Sequence, residues 1–190
     1  MEMPKDYETA QVIGGAKKLP PNGYVCVVKK AEERNNKNGK PMLVVAFEIY
    51  DGEYKGFFSE KFEKKKDFAA PGEQVKWPND GMLYLNVYDK EGNTAKGFKT
   101  FCEALKDSGA NIVWGQGFCQ SITGKLFGAL FRRREEQFDG KVFWSCKAFN
   151  YISVERIQKG DFSIPEDEPL RSQDFDAPGF SALDESDVPF

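Results

Sequence analysis

The sequence predicts a mainly β protein: a five-stranded barrel with one connecting helix, an extra strand within an insertion, and a disordered acidic tail at the C-terminus. Segments rich in β-branched and aromatic residues recur along the chain and are separated by turn-forming residues, as in β-hairpins. Residues 98–105 have the period of an amphipathic helix instead. From residue 160 onward the composition becomes acidic and rich in proline, which is typical of chain that cannot bury enough apolar surface to fold.

The first hairpin is predicted over residues 23–50. Two apolar runs flank a polar segment containing Asn38 and Gly39, a pair that favours a tight turn because both residues tolerate positive φ. Side chains alternate along a strand, so one face of the second run is expected to be core: Leu43, Val45, Phe47 and Ile49. The opposite face is less apolar and predicts a binding surface on the outside: Val44, Ala46, Glu48 and Tyr50.

A third strand is predicted over residues 54–62. Phe57 and Phe58 fall on opposite faces of it, so one of them belongs to the core, and alternation leaves open which one. Residues 63–81 are expected to be an irregular insertion with three consecutive lysines at 64–66 and with Trp77, whose ring either caps the barrel or stacks on a base. The extra strand follows at residues 82–88, where apolar and mixed positions alternate.

The connecting helix carries an apolar stripe at helical spacing, which we expect to plug one end of the barrel: Phe98, Phe101, Cys102 and Leu105. Residues 110–124 form a loop without a recognisable element. A second hairpin then pairs residues 125–134 with residues 141–152 around a turn at Asp139 and Gly140.

In the last strand of this hairpin, alternation separates two faces. One set is interpreted as lining the core: Val142, Trp144, Cys146 and Ala148. The other set would lie outside and alternates aromatic with cationic or polar groups: Phe143, Ser145, Lys147, Phe149 and Tyr151. The opposite assignment, with Trp144 outside, stays open.

The chain divides by charge into a basic body and an acidic tail. Residues 160–190 carry nine acidic residues and one arginine, a net charge of −8, and the total of −3 leaves +5 for residues 1–159. We expect an N-terminal arm at residues 1–20, one domain at residues 21–159, and the tail at residues 160–190. A basic body indicates a polyanionic partner.

Composition disfavours several classes of function. The chain has no histidine, which removes the commonest general base and metal ligand, and its four cysteines form no Cys-x-x-Cys pair. No catalytic residue, cofactor or metal is therefore predicted, and the cysteines are expected to be reduced thiols that pack as small hydrophobes. No apolar run is long enough to span a membrane and the N-terminus has no signal-peptide core, so a cytoplasmic location is expected.

The order of the predicted elements matches an OB-fold barrel, the fold that commonly binds oligonucleotides. Cations that follow a phosphate backbone, combined with rings that stack on bases, suit single-stranded nucleic acid. The candidate DNA-binding residues are Arg34, Lys37, Lys40, Phe57, Lys61, Trp77, Arg132, Arg133, Arg134, Phe138, Phe143, Lys147 and Phe149.

The chain end resembles a known family. Acidic residues followed by Val188, Pro189 and Phe190 resemble the acidic tip of bacterial single-stranded DNA-binding proteins, and residues 19–24 and 157–165 resemble OB-fold proteins of phage and prophage replication or recombination modules. The resemblance implies a phage-type protein that coats single-stranded DNA in the cytoplasm of a bacterial host and recruits replication or recombination enzymes. A second copy of the chain is a further candidate partner, in a homo-oligomer. The partner-docking residues would be Asp184, Glu185, Asp187, Val188, Pro189 and Phe190.

Two hypotheses from other classes accompany this one. The chain is alternatively a protein-interaction or inhibitor module whose acidic tail mimics DNA, in which case its body would not bind oligonucleotides. The other alternative is a metal-dependent nuclease that uses Asp51, Glu53 or Glu60.

Overall fold

The computed structural model describes residues 17–70, 72–164 and 166–170, and at position 138 it describes the backbone alone. Five strands are present: β1 (Gly23–Asn35), β2 (Pro41–Ile49), β3 (Met82–Asn86), β4 (Leu126–Phe138) and β5 (Lys141–Ile152). Helices join or follow them: α1 (Phe57–Asp67), α2 (Lys96–Asp107), α3 (Phe118–Ile122) and α4 (Val154–Lys159), with a 3₁₀ turn at Asn79–Gly81. The prediction of a mainly β protein with five strands is confirmed, and most of the predicted arm lies outside the described residues.

The strands form one antiparallel sheet in the order β3-β2-β1-β4-β5. The sheet is not closed, because β3 and β5 are its two edges. The 3₁₀ turn Asn79–Gly81 contacts β5, so this turn spans part of the gap where a closed barrel would have a strand pair. Helix α2, the predicted connecting helix, packs on β3, β4 and β5.

The core lies on the face of the sheet that the alternation in β2 predicts. Leu43, Val45, Phe47 and Ile49 are all buried there, together with Phe101 of α2 and Phe127 and Phe131 of β4. The opposite face of β2 was expected to be a binding surface, and this prediction is wrong. Val44 and Ala46 are buried in a second cluster with Met42 and Met82, against which Trp77 and Tyr84 pack.

Residues 57–67 form helix α1 and not the predicted third strand. The alternating pattern does not apply here, because Phe57 and Phe58 are both buried in the core. Adjacent residues of one strand point to opposite faces, so both are buried only when both faces of the strand are covered. The third strand is instead β3, at the position predicted for the extra strand. The lysines at 64–66 consequently lie in the last turn of α1 and not in an irregular insertion.

Helix α1 begins on a buried carboxylate. Glu48 lies at the end of β2, and its Oε1 accepts hydrogen bonds from the backbone N–H groups of Ile49 (2.8 Å) and Phe58 (3.0 Å). Its Oε2 accepts one from Ser59 N–H (2.6 Å). The first N–H groups of a helix have no partner within the helix, and a negative charge at this end also interacts favourably with the helix dipole. Glu48 thereby joins the start of α1 to the end of β2.

The second hairpin is longer than the strand that pairs with it. β1 pairs with β4 from Leu126 to Leu130, whereas β4 and β5 remain paired as far as Phe138 and Lys141. Beyond Leu130 the hairpin is therefore a two-stranded extension. Val142 and Trp144, predicted to line the core, lie in this extension and are 49% and 47% exposed. Cys146 and Ala148, nearer the sheet, do pack against the core.

A β-bulge changes the alternation within β5. Leu130 pairs with Asn150 but Phe131 pairs with Ala148, so Phe149 is the extra residue. Tyr151 was predicted to lie outside, and this is wrong: the bulge shifts the alternation, and Tyr151 is buried against Phe101 and Phe127. Within the loop predicted at 110–124, the structure has the short helix α3.

Helix α4 fixes the point at which the chain leaves the sheet. A Cβ atom on Gly128 would lie 2.5 Å from Ile157, and one on Gly23 would lie 2.7 Å from Phe162. These glycines therefore allow residues 157–162 to pack directly on the backbones of β4 and β1. Residues 166–170 follow and lie beside β4, so the part of the predicted disordered tail that is described contacts the sheet.

All four cysteines are free thiols. Burial raises the pKa of Cys102 to about 11 and that of Cys146 to about 12, and it raises the pKa of Cys26 as well. A thiol with a raised pKa forms little of the reactive thiolate near neutral pH. Across the described residues, none of the helices has the length and apolar character needed to cross a membrane.

We predict that Glu48→Gln destabilises the protein by about 1–3 kcal/mol, because the amide nitrogen cannot accept the hydrogen bond from Ser59 N–H. Glu48→Ala should cost more, since it leaves three backbone N–H groups without their acceptor. Urea denaturation would measure both. Glu60→Gln is the matched control: Glu60 is in the first turn of the same helix but exposed, so its loss should cost less than about 1 kcal/mol. Equal costs for the Glu48 and Glu60 variants would show that the buried carboxylate is not the helix cap that matters.

Candidate nucleic-acid interface

The extension of the second hairpin beyond Leu130, which we call the ribbon (residues 131–149), has one face that alternates cationic and aromatic groups. Residues paired across antiparallel strands present their side chains on the same face. Arg132 pairs with Lys147, Arg134 with Ser145, and Glu136 with Phe143. The face formed by these six residues and by Phe149 is called the arginine face below.

A cation–π stack organises the base of the arginine face. The guanidinium carbon of Arg132 lies 3.6 Å from the centroid of the Phe149 ring, and Phe149 is 50% exposed. Phe149 follows Lys147 by two residues in β5, so it lies on the same face of the ribbon as Lys147 and its partner Arg132. A flat cation on an exposed ring suits the recognition of planar, negatively charged ligands such as nucleotides.

The opposite face of the ribbon carries a similar pair. Arg133 pairs with Cys146, and its guanidinium carbon lies 5.9 Å from the ring centroid of Trp144. The ribbon therefore presents an arginine and an exposed ring on each of its faces. Trp144 is two residues from Cys146 in β5, so alternation places both on the same face, and the Trp144 side chain is 47% exposed.

Acidic groups of the same chain neutralise the ribbon's cations. Glu168 contacts both Arg132 and Arg134, and Lys147 pairs with Glu136. Asp167 accepts two hydrogen bonds from Arg133, at 3.1 Å from Nε and 2.6 Å from Nη2. The hydrogen bond and the charge of Asp167 raise the pKa of the Arg133 guanidinium above its usual value. In this state the cationic groups already hold anions.

The loop between β1 and β2 carries three of the predicted DNA-binding residues. Arg34 contacts the Glu32 carboxylate at 2.7 Å, and Lys40 donates from Nζ to the Asp89 carbonyl at 3.2 Å. Lys37 is exposed near the tip of the turn. This loop follows the C-terminal end of β1, whereas β4 pairs with the N-terminal end, so the loop is separated from the ribbon by the length of β1.

The remaining predicted residues do not join either surface. Phe57 is buried in the core, so its ring is not available for stacking, and Lys61 forms an ion pair with Asp80 at 2.7 Å. Trp77 donates from its indole nitrogen to the Gly81 carbonyl at 3.2 Å and packs on both hydrophobic clusters. Of the two roles considered for Trp77, these contacts favour capping. The side chain at position 138 and the docking residues 184–190 lie outside what the structure describes.

Sequence reasoning did not select Trp114, the most exposed of the described tryptophans. Its side chain is 59% exposed, and its ring stacks on Phe118 at 5.2 Å with an interplanar angle of 25°. Lys106 lies 5.9 Å from the ring centroid. The signal in the sequence was a single tryptophan among glycine and glutamine residues. The result is a further exposed ring beside a cation, on the connection between α2 and α3.

The acidic residues considered for a nuclease are spread over two elements. Asp51 and Glu53 lie between β2 and α1, and Glu60 lies in the first turn of α1. In the part of the chain that the structure describes, no three or more Asp, Glu, His or Cys side chains are grouped so that they could hold a metal ion.

Comparison with known families gives one result. A family model described as "Protein of unknown function (DUF669)" matches residues 5–60. The match covers the first hairpin and the beginning of α1, and it ends well before the ribbon. Comparison with curated proteins finds no match.

We predict that Phe149→Ala and Tyr151→Ala differ strongly in their effect on stability, although the two residues are separated by a single position. Tyr151 is 9% exposed and contacts two core rings, so its truncation should cost about 3–5 kcal/mol. Phe149 lies on the ribbon surface, so its truncation should cost about 1 kcal/mol or less. Thermal or urea denaturation would compare them. Similar losses would mean that the bulge does not separate these side chains onto different faces.

Proposed function

We propose that this protein binds and protects single-stranded DNA through the ribbon and is not an enzyme. The observation that carries the proposal is the arginine face, where Arg132 and Arg134 alternate with exposed rings at Phe143 and Phe149. Proteins that bind single strands without sequence preference combine a cationic track for phosphates with rings on which bases stack.

The geometry of a strand supports this role. Arg132 and Arg134 are two residues apart on β4, so their side chains leave the same face about 6.8 Å apart. A row of regularly spaced cations follows an extended polyanion without reading its sequence. Each stacked base contributes about 1–3 kcal/mol, so Phe143 and Phe149 together supply a substantial share of the affinity.

The fold is compatible with the proposal. An OB-fold is a five-stranded, partly open barrel with Greek-key connections that commonly binds oligonucleotides. The strand order β3-β2-β1-β4-β5, with α2 between β3 and β4, is compatible with such a barrel opened between its third and fifth strands. In this proposal the loop between β1 and β2 is a second region that contacts DNA, through Arg34, Lys37 and Lys40.

The biological setting is part of the proposal and rests on the resemblance of the chain end to bacterial single-stranded DNA-binding proteins. The protein would act in phage DNA replication or recombination in the host cytoplasm, and partner enzymes would bind its last residues. Phe190 offers a ring for an apolar pocket, and Pro189 lowers the entropic cost of ordering it.

A second function is favoured by the acidic groups on the ribbon. Asp167 and Glu168 bind arginines of their own chain much as phosphates would, which supports an interaction or inhibitor module whose acidic tail mimics DNA. The two functions differ in what the body binds. An inhibitor would bind a DNA-binding protein and leave oligonucleotides free, whereas the first proposal requires direct binding of oligonucleotides.

We predict tight binding to oligo-dT, weaker binding to a duplex of equal length, and a strong dependence on salt. Neutralising about three to five phosphates gives a slope of log K against log salt of roughly −2 to −3.5. Fluorescence titration would measure this. Arg132→Ala/Arg134→Ala should weaken binding more than Lys64→Ala/Lys66→Ala. Two residues apart on a strand, the arginines share one face, whereas lysines two residues apart on a helix point in different directions.

Four results would count against this proposal. A flat salt response or equal affinity for duplex would exclude the ribbon as a single-strand site. A larger loss of affinity in the Lys64→Ala/Lys66→Ala variant would indicate that the binding site lies on α1. Magnesium-dependent cleavage of labelled DNA would favour the nuclease alternative.

We predict that deleting residues 188–190 leaves thermal stability and oligo-dT affinity nearly unchanged but abolishes capture of purified replication or recombination proteins. Asp184, Glu185 and Asp187 should speed association with a basic partner, an effect that fades with salt. Pull-down and surface-based kinetics would test this, and retention of every partner by the deletion variant would refute docking through the chain end.

A further inference from the structure

Trp114 presents its indole ring to solvent from a fixed position. One face of the ring stacks on Phe118, with the ring centroids 5.2 Å apart, and the centroid of Phe98 in α2 lies 6.4 Å away. The backbone beside it is held as well, because Val113 N–H donates to Ser121 Oγ at 3.0 Å. The Trp114 side chain is nevertheless 59% exposed. The Trp114 ring, stacked on Phe118, is called the platform below.

The platform lies toward the end of β1 that leads into the β1–β2 loop. Helix α3, which contains Phe118, packs on β1. Burial raises the pKa of the Cys119 thiol in α3, and the nearby charge of Glu33 adds to this increase. Glu33 is two residues from the end of β1, whereas β4 pairs with β1 only as far as Val27. The platform is therefore on the side of the β1–β2 loop and away from the ribbon.

The β1–β2 loop and the platform complement each other. The loop contains Lys37 and Lys40 and no aromatic residue. Lys40 Nζ donates to the Asp89 carbonyl at 3.2 Å, on the connection that leads into α2. Trp114 contacts Phe98, in the first turn of that same helix. A site for single strands combines cations for phosphates with rings for bases, so the platform supplies the ring that the loop lacks.

The size of the exposed surface favours a base over a protein partner. Val113 and Trp114 are exposed large apolar side chains on this connection, at 51% and 59%. Stable protein–protein interfaces bury about 1,200–2,000 Å² in total, far more than two side chains offer. One nucleobase, in contrast, needs only one ring face. Lys106 Nζ lies 5.9 Å from the Trp114 centroid and 3.1 Å from the Glu103 carboxylate, so a cation is present beside the ring.

We propose that the platform stacks one base of a single strand and forms, with the cations of the β1–β2 loop, a second binding site separate from the ribbon. The proposal rests on the proposed function, because it requires that the protein binds single strands. A long strand contacts both sites, and the second contact raises the overall affinity because it is made within one complex. A short strand reaches only one site.

The first test compares Trp114→Leu with Trp114→Phe. Leucine keeps an apolar cover on Phe118 but has no ring face, whereas phenylalanine keeps one. We expect Trp114→Leu to bind a long oligo-dT about fivefold or more weakly, as the loss of a stacked base implies, and Trp114→Phe to retain most of the affinity. Val113→Ala is the matched control at the neighbouring exposed position, and it should change the affinity by less than about twofold. Fluorescence titration with labelled oligo-dT would measure these affinities.

Strand length gives an independent check on the presence of two sites. Single OB-fold sites hold about 4–16 nucleotides. With an oligo-dT at the lower limit, which binds at the ribbon, Trp114→Leu should have the same affinity as the unchanged protein. With an oligo-dT above the upper limit, the loss should appear. A loss of equal size at both lengths would show that the platform is not a separate site.

Tryptophan fluorescence reports on the stack itself. The chain has three tryptophans, and Trp77 stays in every variant because its indole is bonded to Gly81 within the fold. Unlabelled oligo-dT should quench the emission of Trp144→Phe, in which Trp114 is the exposed tryptophan. It should leave Trp114→Phe/Trp144→Phe nearly unquenched.

The outcomes separate the platform from the ribbon. Unchanged affinity of Trp114→Leu for the long strand, or equal quenching of the two fluorescence variants, would overturn the platform. Weaker binding by Arg132→Ala/Arg134→Ala would still support the ribbon in that case. Quenching of Trp114, together with full affinity of the arginine variant, would support the platform and overturn the ribbon. If neither the unchanged protein nor any variant binds oligo-dT, the proposed function fails and the platform fails with it.

Discussion

The carboxylate of Glu48 determines how the chain passes from the first hairpin to the rest of the fold. A buried charge is costly unless it is satisfied, and here three backbone N–H groups satisfy it. The same contact starts α1 at the end of β2 and directs Phe57 and Phe58 into the core. With α1 at this position, the chain returns through the turn at Asn79–Gly81 to form β3 as the partner of β2.

The ribbon owes its exposure to a difference in strand length. β4 and β5 continue past the last residue of β1 that pairs with β4, so the far part of the hairpin, with Val142 and Trp144, extends beyond the core. On one face the Phe149 ring lies against Arg132, and residues 166–170 lie along the edge of β4. Cations and exposed rings thus occur together because the hairpin extends beyond β1, which is why we assign the proposed DNA-binding function to it.

Alternation identified the core face of β2 correctly, since Leu43, Val45, Phe47 and Ile49 all lie in the core. It did not predict that the other face is also covered, because the cluster of Val44 and Ala46 with Met82 involves a strand and a turn later in the chain. It failed at Phe57, because the carboxylate that starts α1 belongs to a residue earlier in the chain and a local pattern does not contain it. It failed at Val142, because the period of a strand does not tell where its neighbour ends. At Tyr151 a single extra residue reversed the face, and strict alternation contains no such extra residue.

The pairing of residues 166–170 with β4 also bears on the assembly of the protein. An unpaired strand edge is a template for pairing with another chain, and charged residues or a covering segment normally prevent this. Here residues 166–170 cover the edge of β4 from Arg133 to Glu135, in a hairpin whose other strand, β5, exposes the side chains of Val142 and Trp144. A chain shortened to end at residue 165 would leave this edge open beside apolar surface, so the ribbons of two molecules would then be able to join edge to edge.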